Sequence, residues 1–262
     1  MRTDIDLDAT AERVSALLPP GRVGVLFSGG MDSGVLLGLL ARARGPEGTA
    51  ALHALNTLAE GWEEEAVRRW CGRLGVELAV FDFDPLTLEE VAGNGPLRCY
   101  HCKDALCRKV EALASRMGLA AVADGTTISD ASDDRPGTAA LREHGVFSPL
   151  AVAGLGRREV LELASRMGLE ERPPGSCMAT RVPEGVRLER GLLERLRALE
   201  AAVRAMGFPL VRARWKGDGV RLETAPSMSA APAGLADALG AEAKKLGLGE
   251  VEVNLRGYRG LS

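Results

Sequence analysis

No stretch of this sequence is long and apolar enough to cross a membrane; its apolar runs fall short of the ~20 residues that a spanning helix needs. Residues 1–20 carry acids early and no apolar segment of the signal-peptide kind, so a cytoplasmic location is expected. Positive charge is not in excess. The 33 Lys and Arg face 36 Asp and Glu, for a net charge of −3, which argues against a nucleic-acid partner and leaves room for a local basic patch. The five cysteines, an odd number, speak for reduced thiols, ligands or catalysis rather than a disulfide framework. The one CxxC has no second copy, which excludes a four-cysteine zinc ribbon. There is no Walker loop with its Gly-Lys-Ser/Thr ending and no GxGxxG fingerprint.

What is present is an ordinary globular balance. The 262 residues are 46% hydrophobic and 26% charged, enough for one large domain or a medium domain with a smaller one. Val23–Phe27 reads as a buried strand ending in Ser28-Gly29-Gly30, after which Asp32 or Ser33 can cap a helix through Val35–Leu40. Strand patterns follow at 50–55, 77–83 and 120–123, and helical patterns at 63–74 and 103–117. This alternation predicts an α/β domain with a mostly parallel sheet. Gly118 and Gly168 follow matching Ala-Ser-Arg-Met stretches and read as helix C-caps. Composition shifts in the breaker-rich Arg172–Arg181 stretch. Beyond it the pattern is helix 191–206, strands 210–215 and 221–224, helix 232–246 and strand 250–255. That αββαβ order predicts a smaller C-terminal α+β domain. The boundary is placed near 180, giving domains 1–180 and 181–262.

The sharpest local signal is Ser28-Gly29-Gly30-Met31-Asp32-Ser33 between a strand and a helix. Two glycines allow close backbone approach, the turn and helix start present N–H groups, and the serines add hydroxyl donors. This is chemistry for a pyrophosphate, with Asp32 suited to a bridging Mg2+. The string matches the signature loop of the PP-loop ATP pyrophosphatases, an adenine nucleotide alpha hydrolase-like fold, and that resemblance implies ATP cleavage to AMP and pyrophosphate by adenylation. Asp124-Gly125-Thr126-Thr127 resembles a second nucleotide-side motif of the group, usually DGTN, with Thr127 where Asn is common. A strand ending in Asp-Gly-Thr at the carboxyl edge of a parallel sheet is also where ligands bind.

Cys99 and Cys102 form the CxxC in Arg98–Lys103. By itself it is half of a zinc site, a redox pair, an iron–sulfur ligand pair or chance. Cys177 lies in a breaker-rich loop with Arg181 close in sequence, and a nearby cation favours thiolate. Cys71 and Cys107 read as structural. Arg204, Arg212, Arg214, Lys216 and Arg221 in the C-terminal region read either as a phosphate-receiving surface or as a solvated strand face.

Together SGGMDS at 28–33, RCYHCK at 98–103, DGTT at 124–127, RPG at 135–137, Ser148-Pro-Leu150, Arg158–Glu162 and SCMATR at 176–181 resemble the LarE family of sulfur transferases. The resemblance implies adenylation and then sulfuration of a carboxylate on a nucleotide-like substrate, pyridinium biscarboxylate mononucleotide. It implies ATP and Mg2+ at Ser28–Ser33 with Asp124, Gly125 and Thr126. Catalytic roles fall to Asp32, Cys177 and Arg181, whose fork would orient phosphate or carboxylate oxygens. Glu200 and Glu223 match acidic positions near a metal or phosphate, and Arg212 a basic position near substrate phosphate. One form of the family sacrifices the sulfur of a cysteine at the position of Cys177. The other holds a [4Fe–4S] cluster on three cysteines, and the presence of Cys99, Cys102 and Cys177 favours that form. A homo-oligomer is also implied. The rival readings are a tRNA thiolase, an amide-forming synthetase and a non-catalytic nucleotide sensor.

Overall fold

In the computed structural model, residues 5–60, 63–131, 136–169, 175–224 and 235–254 are described. In chain order they form α1 (Leu7–Ser15), β1 (Val23–Leu26), α2 (Met31–Arg44), β2 (Thr49–Asn56), α3 (Glu63–Leu74), β3 (Glu77–Phe83), α4 (Glu89–Ala92), α5 (Arg98–Arg116) and β4 (Ala121–Ala123). There follow α6 (Ile128–Ala131), α7 (Pro136–Glu143), α8 (Pro149–Val152), α9 (Arg157–Met167), α10 (Arg190–Ala205), β5 (Val211–Trp215), β6 (Gly219–Thr224), α11 (Leu235–Lys245) and β7 (Glu250–Asn254). No helix among the described residues is long and apolar enough to cross a membrane.

The chain divides into two units. The first takes Met1–Asn56, Trp62–Pro85 and Cys99–Arg172; the second takes Thr57–Gly61, Leu86–Arg98 and Pro173–Ser262. The first is the expected α/β unit, with a four-stranded, all-parallel sheet in the order β3-β2-β1-β4. Strand β1 is central, pairing Val23 and Val25 with Thr49 and Ala51 on one side and with Ala121 and Ala123 on the other. A strand covered on both faces must be apolar throughout, and Val23, Gly24 and Val25 are all buried. Helix α2 is buried from Ser33 to Ala41. Such a helix, apolar all round, belongs inside, and α1 and α9 pack against it.

Two helix starts differ from the expectation. Helix α2 begins at Met31 with Gly30 as its N-cap, so Asp32 and Ser33 lie in its first turn instead of capping it. Helix α5 begins at Arg98, five residues before the expected start. Pro96 disfavours helix immediately ahead of itself, and the chain turns helical two residues later, with the CxxC inside the first turns. Helix α1 was not anticipated, although its signal is present: Asp6 caps the N–H groups of Asp8 and Ala9, and Thr10, Ala11 and Val14 form its buried stripe.

The second unit has the expected αββαβ order. Its sheet runs β5-β6-β7, antiparallel then parallel. Leu192, Leu196, Leu199 and Val203, spaced three and four apart, give α10 one buried face, and α10 packs on β5. The unit also draws in two stretches from the first half of the chain. Ala92 and Asn94 carbonyls accept from the Leu188 and Gly185 N–H groups at 2.7 and 2.9 Å. Asn94 is buried at φ 57°, a conformation asparagine tolerates better than most, and its amide donates to the Pro183 and Val186 carbonyls at 2.8 and 3.0 Å.

Candidate functional site

In the first unit, strand order reverses at β1: β2 and β3 lie on one side and β4 on the other. Beyond the carboxyl ends of such a pair, the connections diverge and leave a crevice that sheets of this kind use for ligands. The two motifs expected to hold nucleotide follow those two strands. Gly29 has φ 82°, a left-handed conformation that glycine adopts at no steric cost. Gly30 has no side chain to cap α2, so the helix start is left to present N–H groups and positive potential to a ligand. Ser28 Oγ accepts from the Gly30 N–H at 3.3 Å and lies 3.1 Å from Ser33 Oγ, which donates to the Gly30 carbonyl at 3.2 Å. His53 of β2, buried, holds the Phe27 carbonyl at 2.8 Å just ahead of the loop.

The second motif touches the first. A Cβ at Gly125 would stand 2.5 Å from the Ser33 nitrogen and 2.7 Å from its Cα, so the Asp124–Thr126 backbone runs directly over the first turn of α2. Asp124 is buried and accepts from Thr126 Oγ1 at 2.6 Å and Ser148 Oγ at 2.7 Å. Thr127 donates its N–H and hydroxyl to Asp130 at 3.2 and 2.7 Å, so the residue in the usual asparagine place serves the start of α6. Asp32 is half-buried. Burial pushes its carboxyl above the usual range and Asp130 adds to this, with Arg157 opposing. A carboxylate costly to ionise alone is one that a divalent cation would relieve. On the α3 side of the loop lies a cleft lined by Phe27, Gly29, Gly30, Met31, Trp70 and Arg73.

The CxxC thiols also belong to this unit. Cys99 is exposed and Cys102 half-buried at the start of α5. Helix α7 and the residue after it brace that start. A Cβ at Gly137 would meet Lys103 Cγ at 3.3 Å and the Cys99 carbonyl at 3.4 Å. Tyr100 Oη donates to Glu143 at 2.7 Å. His144 bridges Asp104 at 2.8 Å and Glu111 at 2.5 Å, and these bonds hold its imidazole pKa above the ordinary value. Arg135 of the RPG match lies outside the described residues, while Pro136 and Gly137 open α7. Cys71 and Cys107 are buried thiols, pushed by that burial up to about 11, which disqualifies both as nucleophiles at neutral pH.

Cys177, exposed, lies in the second unit and precedes a 3₁₀ turn over Met178–Arg181. Arg181 lies beneath it, 1% exposed. Its Nε and Nη2 grip the two Glu200 oxygens at 2.8 and 3.0 Å, and Nη2 also reaches Glu60 at 2.8 Å. Nη1 donates to Ser176 Oγ at 2.5 Å and to the Ser176 carbonyl at 3.2 Å. The fork that was expected to orient substrate oxygens is thus engaged with the protein's own carboxylates. Glu200, expected near a metal or phosphate, is 0% exposed. It also accepts the Ala213 N–H at 2.8 Å, covering a donor of the edge strand β5. Arg212, 2% exposed, faces Glu60 at 3.4 Å, so this cation is interior rather than part of a solvated face. Glu223 pairs with Arg214 at 3.0 Å, both half-buried, and Arg214 donates to the Thr180 carbonyl at 2.6 Å.

Sequence reasoning missed Glu60. It stands in a turn after β2, and nothing local in Thr57-Leu-Ala-Glu60 announces that two arginines and the Cys177 loop converge on it. The one signal was an acid in a short connection off the carboxyl edge of the sheet. Burial alone would raise the Glu60 pKa, but Arg212, the Ser176 N–H and Arg181 outweigh it and hold the carboxyl below the usual range. Among the described residues, no three His, Cys, Asp or Glu side chains are gathered closely enough to hold a metal ion. Thiolate is nonetheless the donor that iron–sulfur clusters take. Cys99 and Cys102, three residues apart on an accessible helix start, suit two corners of one.

No family model matches the chain. It is 30% identical over 95% of its length, and 91% of the relative's, to the pyridinium-3,5-bisthiocarboxylic acid mononucleotide synthase of Lactiplantibacillus plantarum. It is 31% identical over 61% of its length, and 44% of the relative's, to a probable tRNA sulfurtransferase of Methanothermobacter thermautotrophicus. A tRNA-specific 2-thiouridylase of Rhizobium leguminosarum is 27% identical over 56% of the chain and 47% of that enzyme.

Proposed function

The chain belongs to the LarE family of PP-loop sulfur transferases, and from that premise we propose that it uses ATP to turn a carboxylate of a pyridinium mononucleotide into a thiocarboxylate. The observation that carries the reading is the contact of Gly125 with Ser33, which joins the Ser28–Ser33 loop and the Asp124–Thr126 turn into one nucleotide cradle. In this reading the loop N–H groups and serine hydroxyls hold the β- and γ-phosphates. Asp32 would hold the Mg2+ that accompanies ATP. Fixed donors at the helix start take up charge as the α-phosphate is attacked by the substrate carboxylate and pyrophosphate leaves. A sulfur nucleophile presented at the Cys177 loop then attacks the acyl carbon and AMP leaves; the thiocarboxylate is freed when the bond between the sulfur and its carrier breaks, which for Cys177 itself is the Cβ–S bond, with loss of the α-proton and a dehydroalanine left behind.

Cys99, Cys102 and Cys177 are the thiolates that would hold a [4Fe–4S] cluster, which when bound supplies a labile sulfide. Arg181, Glu200 and Arg212 frame the Cys177 loop from within; in this reading Arg212 serves the substrate's phosphate, and Glu200 and Glu223 lie near that phosphate or its metal. We place the reaction in the cytoplasm, where thiols stay reduced, in a homo-oligomer.

The test is anaerobic turnover with ATP and pyridinium biscarboxylate mononucleotide, following pyrophosphate and the product by mass spectrometry. Replacement of a carboxylate oxygen by sulfur is expected, with Cys177→Ala retaining pyrophosphate release and losing the sulfur product. Sulfur appearing on tRNA instead would favour the thiolase relatives. About four iron per chain, lost in Cys177→Ala, is expected of the cluster; absence of iron after reconstitution would leave Cys177 itself as the donor.

A further inference from the structure

We infer that Glu60 is a positioning residue for Cys177, fixing from a distant part of the chain the loop backbone that presents this thiol. The inference rests on the reading that the sulfur nucleophile, whether a sulfide on the cluster that Cys177 would hold or the Cys177 sulfur itself, is presented at this loop. The two amides flanking Cys177 are both held by one short stretch. The Ser176 N–H donates to Glu60 Oε1 at 3.0 Å, and the Met178 N–H donates to the Leu58 carbonyl at 2.8 Å. The same Glu60 oxygen takes Arg181 Nη2 at 2.8 Å and faces Arg212 at 3.4 Å. The stretch is itself anchored, because Arg197 of α10 donates to the Thr57 carbonyl at 2.8 Å and the Ala59 carbonyl at 2.9 Å.

Beyond the thiol the loop is closed in the same way. The Cys177 carbonyl accepts from the Thr180 N–H at 3.0 Å and hydroxyl at 2.8 Å, and Met178 and Ala179 are fully buried. An exposed thiol therefore stands between two pinned amides. A cysteine side chain has a single χ angle before its sulfur, so the backbone decides where the sulfur lies. Attack on an acyl carbon needs that position held within a fraction of an ångström. Glu60 does this with a charge as well as an acceptor: it helps to compensate two buried guanidiniums, Arg181, which also grips Glu200, and Arg212.

The variants are Glu60→Gln, which keeps the shape and removes the charge, and Glu60→Asp, which keeps the charge. In the full chain, amide hydrogen exchange over residues 175–182 and single-turnover sulfur transfer are measured together. Glu60→Gln is expected to speed exchange at Ser176 and Met178 about tenfold by local opening, with α10 protected as in the parent. It should slow sulfur transfer about 100-fold while pyrophosphate release and the KM for ATP stay unchanged, and Glu60→Asp should recover part of both losses. Unchanged exchange at the two amides would overturn the inference, and so would faster exchange with sulfur transfer intact. Loss of protection throughout α10 would also overturn it, reducing Glu60 to a stability residue. Should the parent protein itself transfer no sulfur, the proposed function fails, and the rate of Cys177 alkylation by iodoacetamide replaces turnover as the readout of thiol presentation.

Discussion

The cradle proposed for the nucleotide and the Cys177 loop are built from opposite materials. The cradle is made of main chain. Two glycines and a helix start supply the shape and the donors, and the one close contact that defines it is backbone on backbone at Gly125. The Cys177 loop is made of charge. Arg181, Glu60, Glu200 and Arg212 are nearly all hidden from solvent and come from four separate stretches of chain, the turn after β2, the 3₁₀ turn, α10 and β5. The difference teaches what each can tolerate. A site shaped by backbone is sensitive to added atoms, whereas a site shaped by buried ion pairs is sensitive to removed ones.

The largest effect is expected from removing a charge. Arg181→Ala leaves Glu200 and Glu60 buried without their shared cation, and should destabilise the second unit by about 3–5 kcal/mol in urea unfolding. Full retention of stability would break the contrast. Adding one carbon comes next. Gly125→Ala drives a Cβ into the Ser33 backbone and should cost about 1–3 kcal/mol, with loss of ATP binding by calorimetry. Gly175→Ala sharpens the point, since among the described residues nothing lies within 4 Å of a Cβ there and no change in melting is expected.

The smallest effect runs the other way. Burial and Asp130 raise the Asp32 pKa, so its ionisation costs stability as pH climbs from the ordinary value of 3.8 through the raised one. Asp32→Asn should therefore stabilise the protein by about 1 kcal/mol at neutral pH and stop pyrophosphate release. The gain in stability should vanish below pH 3.8, which thermal melts across pH will check.

The same contrast explains what could be read in advance. The cradle is contiguous, so Ser28–Ser33 and Asp124–Thr126 each declare their chemistry in a few letters, and apolar runs such as Val23–Val25 and Thr49–Leu52 mark the sheet that carries them. The leucine spacing of α10 and the αββαβ order were equally local. The Cys177 frame was not. Arg181 and Glu200 could be singled out as residues but not as partners, and Glu60 lies 116 residues from the amide it holds. The start of α5 is not legible in the sequence, because CYHC carries little helical pattern and the bracing by Gly137, Glu143 and His144 comes from beyond the next strand.

The chain passes between its two units at 56/57, 61/62, 85/86, 98/99 and 172/173. On the ribosome, Glu60 and Asn94 emerge long before the strands and helices that will receive them, and the Cys177 loop takes its shape after most of the polypeptide has been made. The C-terminal third is therefore not a cassette. Cut at 173 and grafted onto another protein, it would arrive without the carboxylate that Arg181 and Arg212 share. Recombination that exchanges whole domains at linkers would break this enzyme. Its two units are inherited together, because the segments that hold the Cys177 loop leave and rejoin the connections between the first unit's strands.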